Sequence, residues 1–109
     1  MIKREIQEKI IQAVEAVKER NPLVGSITNM VTINLVANAQ LAVGGSAAMV
    51  YLSEEGEFLA KAGQSMYINM GTLLPVHERA LPHVAKVLHD TGTPWVLDPV
   101  AVGIGSMRT

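Results

Sequence analysis

The chain has 109 residues, of which 49% are hydrophobic and 17% are charged, and its formal net charge is -1. Because its lysines and arginines are scattered and the net charge is slightly negative, the sequence predicts no binding surface for nucleic acid or anionic lipid. The absence of cysteine excludes a disulfide framework and a thiolate metal site built from these residues.

The first predicted element is an amphipathic helix over residues 2–18. Its apolar residues recur on one helical stripe, and we expect it to stop before Pro22, since proline disfavours helix in the preceding residue. The stripe contains Ile6, Ile10, Ile11, Val14 and Val17. The amino end, "MIKREIQEKI", alternates basic and acidic residues, which is not typical of a secretory signal or a transit peptide. We therefore expect a cytoplasmic protein.

The next segment, residues 21–53, has no charged residue but four asparagines. A membrane-spanning helix needs about 20 predominantly apolar residues, and here Pro22, the Gly44-Gly45 pair and the amides interrupt the apolar run. We therefore interpret the segment as soluble structure. It is predicted to form a buried strand over residues 23–27 and a second buried strand over residues 47–52. Between them we expect a helix over residues 31–43 that ends at Gly44.

The second half of the chain continues the alternation of helices and strands. Ser53 is the predicted N-cap of an acid-led helix over residues 54–63. Pro75 opens a helical stretch that extends to about residue 90, but Pro82 lies inside it and removes a backbone donor, so we expect a kink or two shorter helices. The remaining strands are predicted over residues 65–70 and 95–97, which leaves Asp98 at a strand end.

This order of elements predicts an α/β fold in which a parallel sheet of about four strands is flanked by helices. We interpret residues 1–109 as a single domain. Ligands bind outside the carboxyl ends of the strands in open sheets of this kind. Several polar or small residues follow the predicted strands there, namely Thr28, Asn29, Asn69, Gly71, Thr72 and Asp98.

Three asparagines have more than one interpretation. Asn29 caps the next helix or contacts a ligand, and the residue pattern favours neither. Asn34 and Asn38 lie one turn apart on one helix face. Amides in such positions more often satisfy neighbouring backbone, or mark a face that packs against another subunit, than bind a ligand directly.

Other candidate residues have simpler interpretations. The three histidines, His77, His83 and His89, are six residues apart and so fall on different helix faces, and we expect solvated side chains instead of a metal site. Met49 fits a core position at a strand end. Asp98 follows the apolar "WVL", so its carboxylate must be solvated, paired or bound to a cation.

Three segments of the chain together resemble hydroxyethylthiazole kinase of thiamine salvage, a family with a ribokinase-like fold. They are "PLVGSITNMVTINLVANAQLAVGGSAAM", "INMGTL" and "WVLDPVAVGIGSMRT". The resemblance runs from about Pro22 to Thr109 and rests on the ordered motifs ITN, N-x-G-T and LDPV. It implies phosphorylation of the primary hydroxyl of 4-methyl-5-(2-hydroxyethyl)thiazole with Mg²⁺ and ATP, in a homotrimer with active sites between subunits. Apolar walls and a few amides suit such a small, neutral substrate.

The resemblance also implies roles for individual residues. It places Met49 against the thiazole, Asn29 beside the substrate and Arg108 on ATP, where the fork of donors of an arginine suits phosphate oxygens. Asp98 would lie near the magnesium ion and the phosphates. The chain departs from the family at Gly25-Ser26, where relatives often have histidine and cysteine, and at Ala101, where a glycine is common.

Chains of this family are more than twice as long, so the resemblance covers the amino-terminal half of a kinase. It places the glycine-rich anion hole and the residue that assists deprotonation of the hydroxyl beyond Thr109. We therefore assign no catalytic residue within the chain and expect these 109 residues alone to be inactive. The alternatives are a catalytically silent α/β module that oligomerises or binds a small ligand, and a ribokinase-like enzyme for another small alcohol.

Overall fold

A computed structural model describes residues 2–105 and residue 108. In this part of the chain helices and strands alternate as predicted. The elements are α1 (Ile2–Arg20), β1 (Leu23–Ile27), α2 (Ile33–Ala42), β2 (Ser46–Met49), α3 (Ser53–Ala62), β3 (Ser65–Asn69), α4 (Pro75–Thr91) and β4 (Trp95–Asp98).

The strands form one parallel sheet with the order β2-β1-β3-β4. The central strand β1 pairs with β2 and with β3, so that Ser26 lies between Met49 and Tyr67. On the other side of β3, Asn69 lies opposite Asp98 of β4. The chain runs from β1 outward to β2 and then back across β1 to β3. The direction of winding therefore reverses beside β1, and the carboxyl ends of all these strands meet at one edge. The predicted α/β fold is confirmed.

The hydrophobic core lies between one face of the sheet and helices α3 and α4. It consists of Ile27, Ala60, Met66, Ile68, Leu81, Val84 and Leu88. The two helices approach closely at Gly56, where a Cβ atom would lie only 2.6 Å from Cγ2 of Val84. A side chain larger than hydrogen at this position would push α3 and α4 apart.

The opposite face of the sheet is only partly covered. Helix α2 packs over β1 and β2, where Nε2 of Gln40 donates to Oγ of Ser26 at 2.7 Å. An apolar groove of about 380 Å³ lies beside α2, between Val36 and the side chains of Tyr67 and Val96. Many large apolar side chains of α1, α2 and β4 remain exposed, including Ile6, Ile10, Ile11, Leu35, Leu41, Trp95, Val96 and Leu97.

Helix α1 follows the predicted amphipathic pattern, but Ile6, Ile10 and Ile11 of its apolar stripe are exposed, and Val14 and Val17 are only half-buried. None of its described residues is buried. Among the described residues, no helix combines the length and the apolar character that a membrane crossing requires.

One local prediction is wrong, and one of two alternatives predicted for α4 is excluded. Ser53 does not cap α3, because the helix already includes it, the cap position is Leu52 and no side-chain cap bond forms there. The Ser53 hydroxyl instead donates to Glu57 at 3.4 Å. At Pro82, where a kink or two shorter helices were expected, α4 is one helix, so the alternative of two helices is wrong. Pro82 is exposed while Leu81 beside it is buried, so packing of α4 on the core offsets the loss of one backbone bond.

Some boundaries differ from those predicted by a few residues. Strand β2 covers Ser46–Met49 instead of residues 47–52, although the Val50 N–H still donates to the Ser26 carbonyl at 3.0 Å. Helix α2 ends just before Gly44, whose φ of +101° allows the chain to turn back into β2. The predicted role of this glycine is confirmed.

We expect Gly56→Ala to lower the free energy of unfolding by about 1–3 kcal/mol, the usual cost of overpacking a well-packed site. The added Cβ would meet Val84 at 2.6 Å and Ile27 at 3.3 Å. Denaturant unfolding of the protein that contains this chain measures the change. The matched control is Glu55→Ala at the exposed neighbouring position, which should change stability by less than about 0.5 kcal/mol. Equal effects of the two substitutions would contradict the close approach of the helices.

Candidate functional site

Polar residues from three strands meet at the carboxyl edge of the sheet. Asn29 follows β1, Asn69 ends β3 and Asp98 ends β4. They line a cavity of about 380 Å³ together with Val31, Thr32, Gly71, Thr72, Val100 and Arg108. The clustering expected at this edge is therefore observed, beside the strand at which the winding reverses.

Asn29 holds the turn between β1 and α2. It is buried, and its Oδ1 accepts hydrogen bonds from the backbone N–H groups of Val31 at 2.9 Å and Thr32 at 3.2 Å. These bonds orient the amide so that Nδ2 faces the neighbouring strand, where it donates to Oδ1 of Asn69 at 3.2 Å. Asn29 thus fixes the turn that precedes α2 instead of capping the helix, whose cap position is Thr32 with no side-chain cap bond, and its contact with a ligand stays a prediction.

Asn69 connects the ends of three strands through one amide group. Its Oδ1 accepts from Asn29 and from the backbone N–H of Gly71 at 2.8 Å. Its Nδ2 donates to Oδ2 of Asp98 at 3.2 Å and to the Tyr67 hydroxyl at 3.1 Å. Both hydrogens and both lone pairs of the amide are therefore engaged.

Asp98 is held from one side and open on the other. Its Oδ2 accepts from Asn69 and from the Tyr67 hydroxyl, the latter at 3.3 Å, while the residue as a whole is exposed. Among the described residues, no group of three or more histidines and carboxylates is arranged to hold a metal ion. A single carboxylate suits an ion such as Mg²⁺, which keeps several waters and takes further ligands from phosphates.

The loop after β3 closes tightly around the two amides. A Cβ atom on Gly71 would lie 3.0 Å from both Nδ2 of Asn29 and Oδ1 of Asn69, so a glycine is needed for this approach. The next residue, Thr72, has a φ of +48°, which is rare for a β-branched side chain. Conformations of this kind cost about 1–3 kcal/mol and persist where the surrounding structure enforces them.

His77 is fully buried, which corrects the prediction of a solvated side chain. Its Nδ1 accepts the Leu74 N–H at 3.0 Å, so the ring proton is on Nε2, which donates to the Thr28 carbonyl at 2.8 Å. The ring of Tyr51 packs edge-on against it, with centroids 5.4 Å apart. The physical reason is that a buried carbonyl beside Asn29 needs a donor.

A weak sequence signal for the buried histidine exists. Pro75 opens α4, which places His77 in the first turn of the helix, next to the edge of the sheet where the strands end. The other two histidines, His83 and His89, are exposed as predicted.

The residues that the sequence suggests for binding are not all in one place. Arg108 is half-buried on the cavity, and its Nε is buried with no hydrogen-bond partner among the described residues. Met49 is half-buried at the end of β2, opposite Ser26, and is not one of the residues that line this cavity. The structure therefore brings Asn29, Asp98 and Arg108 together and leaves Met49 apart from them.

The sequence matches known proteins over most of its length. Residues 14–109 match the hydroxyethylthiazole kinase family. A hydroxyethylthiazole kinase from Bifidobacterium adolescentis is 56% identical over 104 residues, which are 95% of this chain and 35% of that protein. A hydroxyethylthiazole kinase from Pyrococcus horikoshii is 41% identical over 100 residues, which are 92% of this chain and 38% of that protein.

A solved structure of hydroxyethylthiazole kinase from Pyrococcus horikoshii OT3 superposes with a TM-score of 0.84 at 40% identity. The superposition covers 93% of this chain and 40% of the solved one. The chain thus spans only about a third of the length of the relatives that it matches, 35% in the Bifidobacterium adolescentis protein.

We expect Asn29→Ala to lower the free energy of unfolding by about 1–2 kcal/mol, since it removes the acceptor of two turn N–H groups and leaves Asn69 short of a donor. Thermal or denaturant unfolding is the measurement. Glu55→Ala is the control, because Glu55 is exposed and does not line the cavity, and its effect should stay below about 0.5 kcal/mol. A loss at Asn29 as small as that of the control would show that the turn does not depend on this amide.

Proposed function

The chain belongs to the hydroxyethylthiazole kinase family, and on that premise we propose that the protein containing it transfers a phosphoryl group from ATP to the hydroxyl of 4-methyl-5-(2-hydroxyethyl)thiazole, a step of thiamine biosynthesis. The observation that carries the proposal is the cavity at the carboxyl edge of the sheet, where Asn29, Asp98 and Arg108 converge. Open α/β sheets bind their ligands at this edge. A cytoplasmic location stays a prediction.

Arg108 is the proposed ligand of the ATP phosphates. It is the cation that lines the cavity, and its buried Nε has no partner among the described residues. An unpaired donor next to a polar cavity supports an anionic ligand, because guanidinium groups bind phosphate oxygens through two parallel hydrogen bonds.

Asp98 lies on the same cavity as Arg108, and a carboxylate beside phosphates requires a cation between them. The residue fits Mg²⁺ that arrives with the nucleotide, since this ion is commonly held by one or two carboxylates together with phosphate oxygens and waters. When bound, the ion would neutralise charge on the phosphates. Asp98 would hold it directly or through a water.

Met49 and Asn29 are proposed to hold the thiazole alcohol, Met49 against the ring and Asn29 beside it. The cavity of about 380 Å³ has the size of a small-molecule site. Because Met49 does not line the cavity of its own chain, a site completed by a second subunit accommodates both residues. This placement supports active sites between subunits.

The proposed reaction forms one bond and breaks one. The hydroxyl oxygen of the thiazole alcohol bonds to the γ-phosphorus of ATP, while the bond from that phosphorus to the oxygen bridging to the β-phosphate breaks and ADP leaves with the electron pair. The hydroxyl proton passes to a base. We assign no residue of this chain as that base. The relatives have further regions that this chain does not match, and we propose that the corresponding regions of the protein containing this chain supply the base and the cradle for the transferred group.

The assembly proposed is a homotrimer, and the surface of α2 supports it. None of the described residues of α2 is buried, and Leu35 is 72% exposed. On the same helix, Nδ2 of Asn38 donates to Oδ1 of Asn34 at 2.6 Å, so these amides serve each other instead of the rest of the chain. An exposed face that combines apolar side chains with satisfied amides suits a contact with a second copy.

We expect two alanine variants of the protein containing this chain to affect different substrates. Arg108→Ala should raise the KM for ATP about tenfold or more while the KM for the thiazole alcohol changes less than about twofold, because a charge-assisted bond to phosphate is lost. Met49→Ala should do the reverse. ADP release at varied concentrations of each substrate measures both constants, and each variant serves as the control for the other.

The outcome separates the function from the residue roles. If the parent protein shows no thiazole-dependent ADP release with Mg²⁺ and ATP, the proposed activity is wrong. If it is active but the two variants change both constants alike, the assignments of Arg108 and Met49 are wrong.

We expect Asn38→Arg to convert the proposed trimer to smaller species, because a long charged side chain would be buried without a partner in the contact. Sedimentation velocity of the protein containing this chain is the measurement. Glu55→Arg, on the exposed surface of α3 across the sheet, is the control and should leave the trimer intact. A parent protein that sediments as a monomer, or an Asn38→Arg variant that remains trimeric, would refute the assignment of α2 to the contact.

A further inference from the structure

The side chains of Asn29, Asn69 and Asp98 form a chain of hydrogen bonds, the relay, in which Asn29 donates to Asn69 and Asn69 donates to Asp98. The backbone N–H groups of residues 31 and 32 occupy Oδ1 of Asn29, so Nδ2 is the atom that faces Asn69. The Gly71 N–H and Asn29 then occupy Oδ1 of Asn69, so its Nδ2 faces Asp98. Backbone donors thus determine the orientation of each amide, and the relay ends on Oδ2 of the carboxylate.

The relay holds the Asp98 carboxylate more firmly than the Tyr67 hydroxyl does, although both donate to Oδ2. The Tyr67 hydroxyl also reaches Oδ2, at 3.3 Å, but a hydroxyl hydrogen rotates to suit its surroundings. Asn69 cannot turn over, because the reversed amide would place its NH₂ group against the Gly71 N–H and the Asn29 NH₂. The relay therefore keeps a donor on Oδ2 and leaves Oδ1 for a ligand.

We propose that Asn69 is a positioning residue that fixes the carboxylate of Asp98 for the magnesium nucleotide. The inference rests on the proposed function, because it concerns the site assigned to ATP. An exposed carboxylate that rotated freely would lose that freedom each time the nucleotide bound, and the loss would weaken binding. Asn69 removes this cost in advance by acting through Asp98.

Asn69→Asp tests the proposal because it alters one side of the relay. An aspartate has the shape of asparagine and still accepts from Gly71 and Asn29, but it places an oxygen against Oδ2 of Asp98 where the amide placed a donor. The experiment compares four forms of the protein that contains this chain: the parent, Asn69→Asp, Asp98→Asn and the double variant. The KM for ATP and the KM for the thiazole alcohol are measured for each by ADP release with Mg²⁺, and calorimetry measures the Kd of a non-hydrolysable ATP analogue with Mg²⁺, which should change by the same factors as the KM for ATP.

We expect Asn69→Asp to raise the KM for ATP about tenfold, the effect of losing one hydrogen bond to a charged group, with the KM for the thiazole alcohol within about twofold of the parent. In the Asp98→Asn background the same substitution should change the KM for ATP less than about twofold, since no second carboxylate is present to repel. Such non-additivity is the mark of residues that act through each other.

A merely structural role for Asn69 gives a different result. The substitution would then change the KM for ATP by the same factor in both backgrounds, and that result would overturn the proposal. If Asn69→Asp does not fold, Asn69→Ser replaces it in the same cycle, since serine is too short to reach Asp98, and the same criterion applies. An inactive parent would refute the proposed function instead, so the two failures are distinct.

Asn21→Asp is the matched control for the added charge and the lost amide donor. Asn21 lies at the opposite edge of the sheet, where its Nδ2 donates to the Gly44 carbonyl at 2.6 Å. We expect the KM for ATP of this variant to stay within about twofold of the parent. A tenfold rise here would show that the effect of Asn69→Asp is not specific to Asp98, and would overturn the proposal.

Discussion

The buried amide of Asn69 is the constraint on which the carboxyl edge of the sheet depends. A buried amide must satisfy two donors and two acceptors, and Asn69 does so with partners from β1, from its own strand and loop, and from β4. An unpaired group at this depth costs about 1–3 kcal/mol. The strand ends, the Gly71 loop and the Asp98 carboxylate are therefore fixed together, and any ligand at this edge meets a rigid arrangement.

One face of the sheet packs against the hydrophobic core, and the other bears residues of the candidate site. The face covered by α3 and α4 contains the buried apolar core, and His77 ties α4 to the end of β1 through the Thr28 carbonyl. The other face bears Tyr67, Asn69 and Asp98 and is covered in part by α2. The side chains proposed to contact a ligand or a second subunit thus lie opposite the packed apolar core.

Local sequence patterns predicted most of the fold, because the hydrophobic periodicity of helices and strands, and the residues typical of turns, are visible within short segments. The burial of His77 was not predictable locally, because the Thr28 carbonyl that it binds is distant in sequence. Packing on the core likewise keeps α4 as one helix through Pro82, whereas the error at Ser53 is a boundary shift of one residue. The relay from Asn29 to Asp98 was not predictable in this way, because it requires β3 beside β1 and β4 beside β3. Tyr67 had one local sign, its position two residues before Asn69 on the same strand face. The roles of Met49 and Arg108 came from the family resemblance and stay predictions.

The positive φ of Thr72 places a strained backbone conformation in the lining of the cavity. Glycine or asparagine would occupy this conformation with less strain, so a library screened for heat resistance alone should drift away from threonine there. Thr72 also lines the cavity, so a glycine that relieved the strain would at the same time remove a polar group from the candidate site.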